Sequence, residues 1–449
     1  MLSTESDQPS NIDKTFSKEE GLKRTIGVWG LSANMVNIVV GAGIFVLPAT
    51  VAAGLGSTSV IAYLFCGILI VLVMLCFAEA GSEVTDSGGP YTYIETAFGP
   101  YFGFLTAILF LVSTFSADAA VANAVATVLS GWFPVLNEQW MRIVFFMVIF
   151  GSLAVINIRG VKQGIGLVAI TTIAKLAPLL ALVLMGWTDV SIANLKWDAL
   201  PGARNIGEMS LVLFFAFMGA ESGLSVGGEI KNPQKTVPKA IFIAIGGVLL
   251  LYILLQTVSQ GVLGDSLASF RENPLAEVGN QLFGPLGLTL ISIGAAVSMF
   301  GNLTGEILSV PRVLFGAARD NVIPIPFLTR IHRQFATPYT SIIVYAGIGF
   351  LLASLGGFEA LAIVSSAAIL LVYLGVTLAV IKLRRKSPGD LEAFRIPGGY
   401  TIPILASIII IWFLSNLSGQ ERNSMLILVA VLTTIYFGIH WIRKRKQPN

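Results

Sequence analysis

Val36-Asn-Ile-Val-Val-Gly-Ala-Gly-Ile-Phe-Val-Leu-Pro-Ala-Thr-Val-Ala-Ala-Gly54 is apolar enough to lie in a bilayer, yet Gly41-Ala42-Gly43 and Pro48 weaken a helix near its middle. Lipid offers no hydrogen-bond partner to a loosened backbone. An interrupted membrane helix therefore persists only where protein, water or a ligand satisfies its N–H and C=O groups. Gly41 to Gly43 reads either as a ligand site or as a patch for close helix packing.

The rest of the chain agrees with a membrane setting. Residues AVILMFWYC make up 55% of it and DEKR only 12%, with a mean hydropathy of +0.81, far from a soluble domain. Cys66 and Cys76 share one apolar segment, which excludes a disulfide framework and a thiolate metal site. His332 and His440, the only histidines, sit in basic, loop-like surroundings. The net charge of +3 comes from basic residues scattered over loops that face a membrane surface, so lipid and not nucleic acid is the expected contact.

Residues 1–25 are polar and mixed in charge, which predicts a disordered cytoplasmic tail and no cleaved signal peptide. Twelve apolar runs follow, near 26–54, 57–78, 101–129, 141–158, 164–187, 207–228, 239–263, 283–309, 338–355, 359–381, 400–417 and 424–442. With the N-terminus inside, 22 of the 28 Lys and Arg residues fall on the cytoplasmic side and 5 outside, with Lys175 left within a segment. Both termini are then cytoplasmic, including the 443–449 tail.

The sixth run carries its own glycine-broken centre, Phe217-Met218-Gly219-Ala220-Glu221-Ser222-Gly223, five segments after the first. Segments 1 and 6 would cross the membrane in opposite directions. Paired interrupted helices in two inverted halves mark the midplane site of a transporter, where half-helix N-termini offer N–H groups to an anion such as a carboxylate. Two unrelated glycine clusters are the alternative.

Four motifs in order carry a resemblance: Gly41-Ala-Gly-Ile-Phe-Val-Leu-Pro48; Ser87-Gly-Gly-Pro-Tyr-Thr-Tyr93 with Phe98-Gly-Pro100; Glu229-Ile-Lys-Asn-Pro-Gln-Lys-Thr-Val-Pro238; and Pro311-Arg312 with Ala318-Arg-Asp-Asn-Val-Ile-Pro324. From about residue 25 to 440 the chain resembles the amino acid-polyamine-organocation transporter family. The resemblance implies an all-α membrane protein of twelve transmembrane helices in a five-plus-five inverted repeat (LeuT-like). The halves would be 26–187 and 207–381, with two further helices over 400–442. It also implies alternating-access transport of amino acids or amines, with no cofactor.

Charge inside a membrane helix costs about 2.5–3.5 kcal/mol on insertion scales, so Asp118, Lys175, Glu221 and Glu306 each ask for a partner or a role. The Lys175 ammonium has the carbonyls freed by the broken first helix, or a buried carboxylate, as candidate partners; snorkelling to the surface is the alternative. By resemblance it replaces a coupling sodium ion, and it is also a candidate for proton exchange. The likeness to arginine/agmatine antiporters places Ser113, Thr114 and Asp118 where those proteins hold a guanidinium, with Asp118 standing for an asparagine. An internal ion pair of Asp118 with Lys175 is the other reading.

Glu306 falls where the antiporters have a tryptophan that stacks on substrate. A distal substrate amine, a coupled proton or a plain helix contact would each account for it. Glu221 matches a glutamate linked to proton sensing, so its protonation would couple to opening. Phe215 resembles an aromatic lid, though a Phe in an apolar helix is also ordinary packing. The amino acid end of the substrate would rest on Val40, Gly41, Ala42 and Gly43 and on Phe217, Met218 and Gly219.

There are departures from the family pattern. The usual Gly-Ser-Gly is Gly41-Ala42-Gly43, which removes a hydroxyl donor and leaves a polyamine without a carboxylate open as substrate. Asn37 stands one residue farther from the glycines than its counterpart. The expectation is a sodium-independent carrier in the inner (plasma) membrane for a cationic amino acid or related amine, or else a proton-coupled neutral amino acid permease. Homodimer formation stays open. An enzyme would need metal ligands, a nucleophile constellation or a cofactor motif, and a channel would need charged rings or a filter; neither pattern is present.

Overall fold

The computed structural model describes residues 26–84, 90–159, 165–224, 230–386 and 394–446. The amino-terminal tail, Ser87-Gly-Gly of the second motif, Gly228, Glu229 and residues 447–449 lie outside them. Within them the chain is helical, and its one β feature is an isolated bridge between Ile26 and Ile230. The helices, in order, are α1 (Val28–Val39), α2 (Ala42–Leu55), α3 (Val60–Glu83), α4 (Pro90–Phe98), α5 (Pro100–Ser130), α6 (Gln139–Arg159), α7 (Ile165–Gly186), α8 (Ala203–Leu213), α9 (Pro233–Leu263), α10 (Pro274–Phe283), α11 (Pro285–Arg319), α12 (Tyr339–Leu355), α13 (Phe358–Lys386), α14 (Thr401–Ser415) and α15 (Gly419–Lys446).

Seven of these helices are long and apolar enough to cross a membrane, and α1 with α2 makes an eighth as a pair bent by 54°. The described parts of the twelve apolar runs are mostly helical. Two short helices, α4 and α10, were not anticipated: they fill connections and end at glycines just ahead of the prolines that open α5 and α11. Pro100 follows Gly99 at φ 97 and Pro285 follows Gly284 at φ 65, the sharp turns that separate each short helix from its long successor. His440 falls within α15 and not in a loop, because the apolar run continues through it.

The core is where the breaks are. α5 packs most extensively on α13 and also meets α11 and α12, while α1 and α3 pack on α9. Exposed Leu64, Phe65, Ile68, Met147 and Leu184 form the outward apolar surface a bilayer covers, and α15 is almost wholly exposed. Near the expected cytoplasmic end, the buried Glu79 carboxylate pairs with Arg384 and accepts the Ile396 N–H at 2.9 Å. This pair ties α3 and α13 to the stretch that leads into α14.

Candidate functional site: two broken helices and a carboxylate cluster

The first segment breaks between Val39 and Ala42. Val40 N–H still bonds to Val36 O at 3.0 Å, but Gly41 N–H turns back to Val39 O at 2.9 Å, and the regular ladder stops. Pro48 lies inside α2 and does not interrupt it. The carbonyls exposed by the break are all accounted for, as a buried backbone requires. Lys175 Nζ donates to Asn37 O at 2.7 Å and Val40 O at 3.0 Å. Asn302 Nδ2 donates to Ile38 O at 3.3 Å, the Tyr252 hydroxyl to Val39 O at 3.3 Å, and Ser298 Oγ to Val40 O at 3.2 Å. Three neighbouring helices, α7, α9 and α11, hold the break open. Lys175 therefore neither snorkels nor pairs with Asp118.

The amides on the other side of the break face differently. Gly41, the residue before α2, makes no side-chain cap, and the first N–H groups of a helix have no acceptor within it. Ala42, Gly43 and Ile44 thus present donors at a positive half-helix end. Gly43 also serves packing: a Cβ there would stand 2.6 Å from Ala216 Cα, so segments 1 and 6 touch backbone to backbone. Gly41 has ordinary room, its nearest neighbour being Asn302 Cγ at 3.5 Å. The packing reading of the glycine patch therefore holds for Gly43 and not for Gly41.

The sixth segment unwinds opposite. α8 tightens into a 3₁₀ turn over Phe214–Phe217, Met218 is extended, and Gly219 takes φ 97 before a second turn over Ala220–Leu224. A Cβ on Gly219 would meet Ile38 Cγ2 at 2.8 Å, which adds a steric reason to the conformational one. Met218 Sδ accepts from Ser366 Oγ at 3.7 Å. Phe217 is fully buried between the rings of Tyr252 and Tyr63, and Val40 has both backbone groups engaged. The Phe217 side chain is thus a packing element beside the break. Phe215 packs edge-on against Phe358, centroids 5.6 Å apart.

The carboxylates gather beside these breaks. Asp118 is 1% exposed; its Oδ2 accepts the Tyr345 hydroxyl at 2.8 Å and its Oδ1 has no partner. Glu306 stands close enough for its charge to act on Asp118, and Glu221 acts on Glu306 in turn. Glu221 Oε2 accepts the Tyr373 hydroxyl at 2.6 Å and the Gly219 N–H at 3.2 Å. Among the described residues none of the three acids has an ion-pair partner, and none belongs to a group able to hold a metal. Ser113 is turned to α13, bonding Ser365 O at 3.0 Å and Ser365 Oγ at 3.1 Å, and Thr114 Oγ1 donates to Leu111 O at 3.0 Å.

Sequence reasoning missed Tyr252, Ser298, Asn302, Tyr345 and Tyr373. One signal was available: Ser298, Asn302 and Glu306 recur every four residues and so form one polar stripe along α11. The tyrosines carry no such mark, since a Tyr in an apolar run is ordinary composition.

Known proteins share this arrangement's sequence. A family model for amino acid permeases matches residues 26–439. The chain is 31% identical to the serine/threonine exchanger SteT of Bacillus subtilis over 403 residues, covering 87% of this chain and 90% of that protein. It is 28% identical to the methylthioribose transporter of the same organism, covering 94% of each. With the arginine/ornithine antiporter of Pseudomonas aeruginosa it shares 29% identity, over 70% of this chain and 67% of the other. With a match over nearly its whole length and broken helices in its core, the chain belongs to the amino acid permease family of membrane transporters and is not an enzyme.

Proposed function

We propose that the protein is a sodium-independent, alternating-access carrier for a cationic amino acid or related amine. Its twelve spans would form a five-plus-five inverted repeat in the inner (plasma) membrane, with both termini cytoplasmic. The observation that carries the substrate class is the charge balance. Among the described residues Asp118, Glu306 and Glu221 have no ion-pair partner, while Lys175 is occupied by helix carbonyls. Like charges in apolar surroundings favour arrival of a positive group.

The roles follow. The donors of Ala42, Gly43 and Ile44 hold the substrate carboxylate, Gly41 opens the backbone, and Met218 and Gly219 take the ammonium end. Asp118 and Glu306 meet the distal charge, Ser113 and Thr114 set the position of α5, and Phe215 closes over the outer side. The Lys175 ammonium stands where a coupling cation would otherwise be needed, which supports sodium independence.

A proton-coupled permease for neutral amino acids is the second reading. The bond between Glu221 and Gly219 N–H favours it, because protonation there would act on the break itself. Counterflow in proteoliposomes, at two pH values and with sodium or choline, separates the two. Asp118→Asn and Glu306→Gln should each cost cationic uptake about 10- to 100-fold and spare neutral substrates, the loss of one bond to a charged group. Unchanged selectivity in both variants rejects the cationic reading.

A further inference from the structure

Tyr345, on α12, reaches the candidate cation subsite. It is fully buried and its hydroxyl donates to Asp118 Oδ2 at 2.8 Å. Its ring packs on Phe115 with centroids 4.8 Å apart. Further along the same interface, Asn123 Nδ2 donates to Ala353 O at 3.0 Å and fixes α12 against α5. The phenol is held in place, and it engages one Asp118 oxygen. The other, Oδ1, is buried without a partner, and Glu306 acts on the same carboxylate from α11.

We propose that Tyr345 is a positioning residue that sets the specificity of this subsite: by engaging Oδ2 it leaves Oδ1 as the one Asp118 oxygen without a partner, which disfavours a symmetric bidentate pair and so selects a primary ammonium over a guanidinium. The inference rests on the cationic reading above. A guanidinium is planar and gains most when two parallel N–H groups meet both oxygens of one carboxylate. An ammonium has three donors spread in a tetrahedron, and single oxygens on different helices suit it. Asp118 Oδ1 and the Glu306 carboxylate, on α5 and α11, are such a pair. The substrate class this favours is an amino acid or amine ending in –NH₃⁺, with lysine and ornithine ahead of arginine.

The test measures equilibrium binding of lysine, ornithine, arginine and leucine to the purified full chain and to Tyr345→Phe, with a melting temperature for each protein. Lysine or ornithine should bind wild type at least about tenfold tighter than arginine, and Tyr345→Phe should bring that ratio close to one by improving arginine. A purely structural role for the phenol would weaken all ligands together. Arginine binding wild type as tightly as lysine overturns the inference even if the variant does not fold. An unchanged ratio in a folded Tyr345→Phe also overturns it, and Asp118→Asn then tells the two readings apart. If Asp118→Asn still loses lysine, the cationic reading stands without Tyr345. If none of the three cationic ligands binds while leucine does, the cationic reading fails and takes this inference with it.

Discussion

Replacing Lys175 by Met keeps most of the side chain's volume and removes its charge and donors. Two bonds disappear, to Asn37 O and Val40 O, each worth about 1.5–3 kcal/mol when the donor is charged. Against them stands the desolvation of a buried ammonium, several kcal/mol, which the variant no longer bears. These terms roughly cancel. What does not cancel is the unpaired acceptor: Val40 O keeps Ser298 Oγ, but Asn37 O is left with nothing. A buried carbonyl without a partner costs about 1–3 kcal/mol. At about 2 kcal/mol, the ratio of chains with the break correctly formed to those without it falls about thirtyfold.

The measurement is counterflow in proteoliposomes, alongside a thermal melt of the purified full chain. Lys175→Met should lower exchange at least about tenfold and melt earlier, with or without sodium in the medium. The reasoning is refuted if Lys175→Met exchanges and melts like wild type, because the break would then be held by α9 and α11 alone.

Two further predictions come from other parts of the fold. Gly43→Ala should abolish transport while Gly41→Ala retains most of it, because only the first puts a Cβ against unyielding backbone, and overpacking of that kind costs about 1–3 kcal/mol; counterflow normalised to protein in the membrane reads the contrast. Glu95, on α4 outside the membrane-spanning helices, is held above the ordinary carboxylate range by burial and by the neighbouring Asp320 carboxylate. The folded state binds its proton more tightly than the unfolded chain does, so Glu95 opposes folding at neutral pH, and that penalty fades as pH falls through the raised value. Glu95→Gln should accordingly melt higher than wild type at about pH 7 and no differently at about pH 4, as read by melting curves at the two pH values.

How much of this was legible in the sequence depends on whether the signal is local. The break at Gly41 was, since glycine in an apolar run says that the ladder is weak wherever the segment ends up. Pro48 misled in degree. It sits in α2 without ending it. The carbonyl partners of Lys175 were one of two options left open by the residues alone, and geometry chose between them. Tyr345 and Tyr373 were illegible for a physical reason: each matters through one bond to a residue 227 or 152 positions away. No periodicity within a segment encodes such a pairing.

The four ionisable groups of the core differ in how completely the protein satisfies them, and that order sorts their roles. Lys175 has two carbonyls and faces the backbone of the break, so it is a fixture of the structure. Glu221 has a phenol and an amide, the latter from the segment 6 break, which suits a group that reports on the state of that break. Asp118 has one oxygen bonded and one free. For Glu306 no hydrogen bond from a described residue offsets its burial, although it is half-buried in the interior of a membrane protein. A carboxylate that the protein leaves unsatisfied costs several kcal/mol unless something mobile completes it. The mobile species of a carrier are its substrate and its coupling ion. Asp118, with one buried oxygen unpartnered, and Glu306, to which no described residue bonds, are therefore where substrate selectivity should respond most to substitution, and Lys175 is where it should respond least even though transport falls.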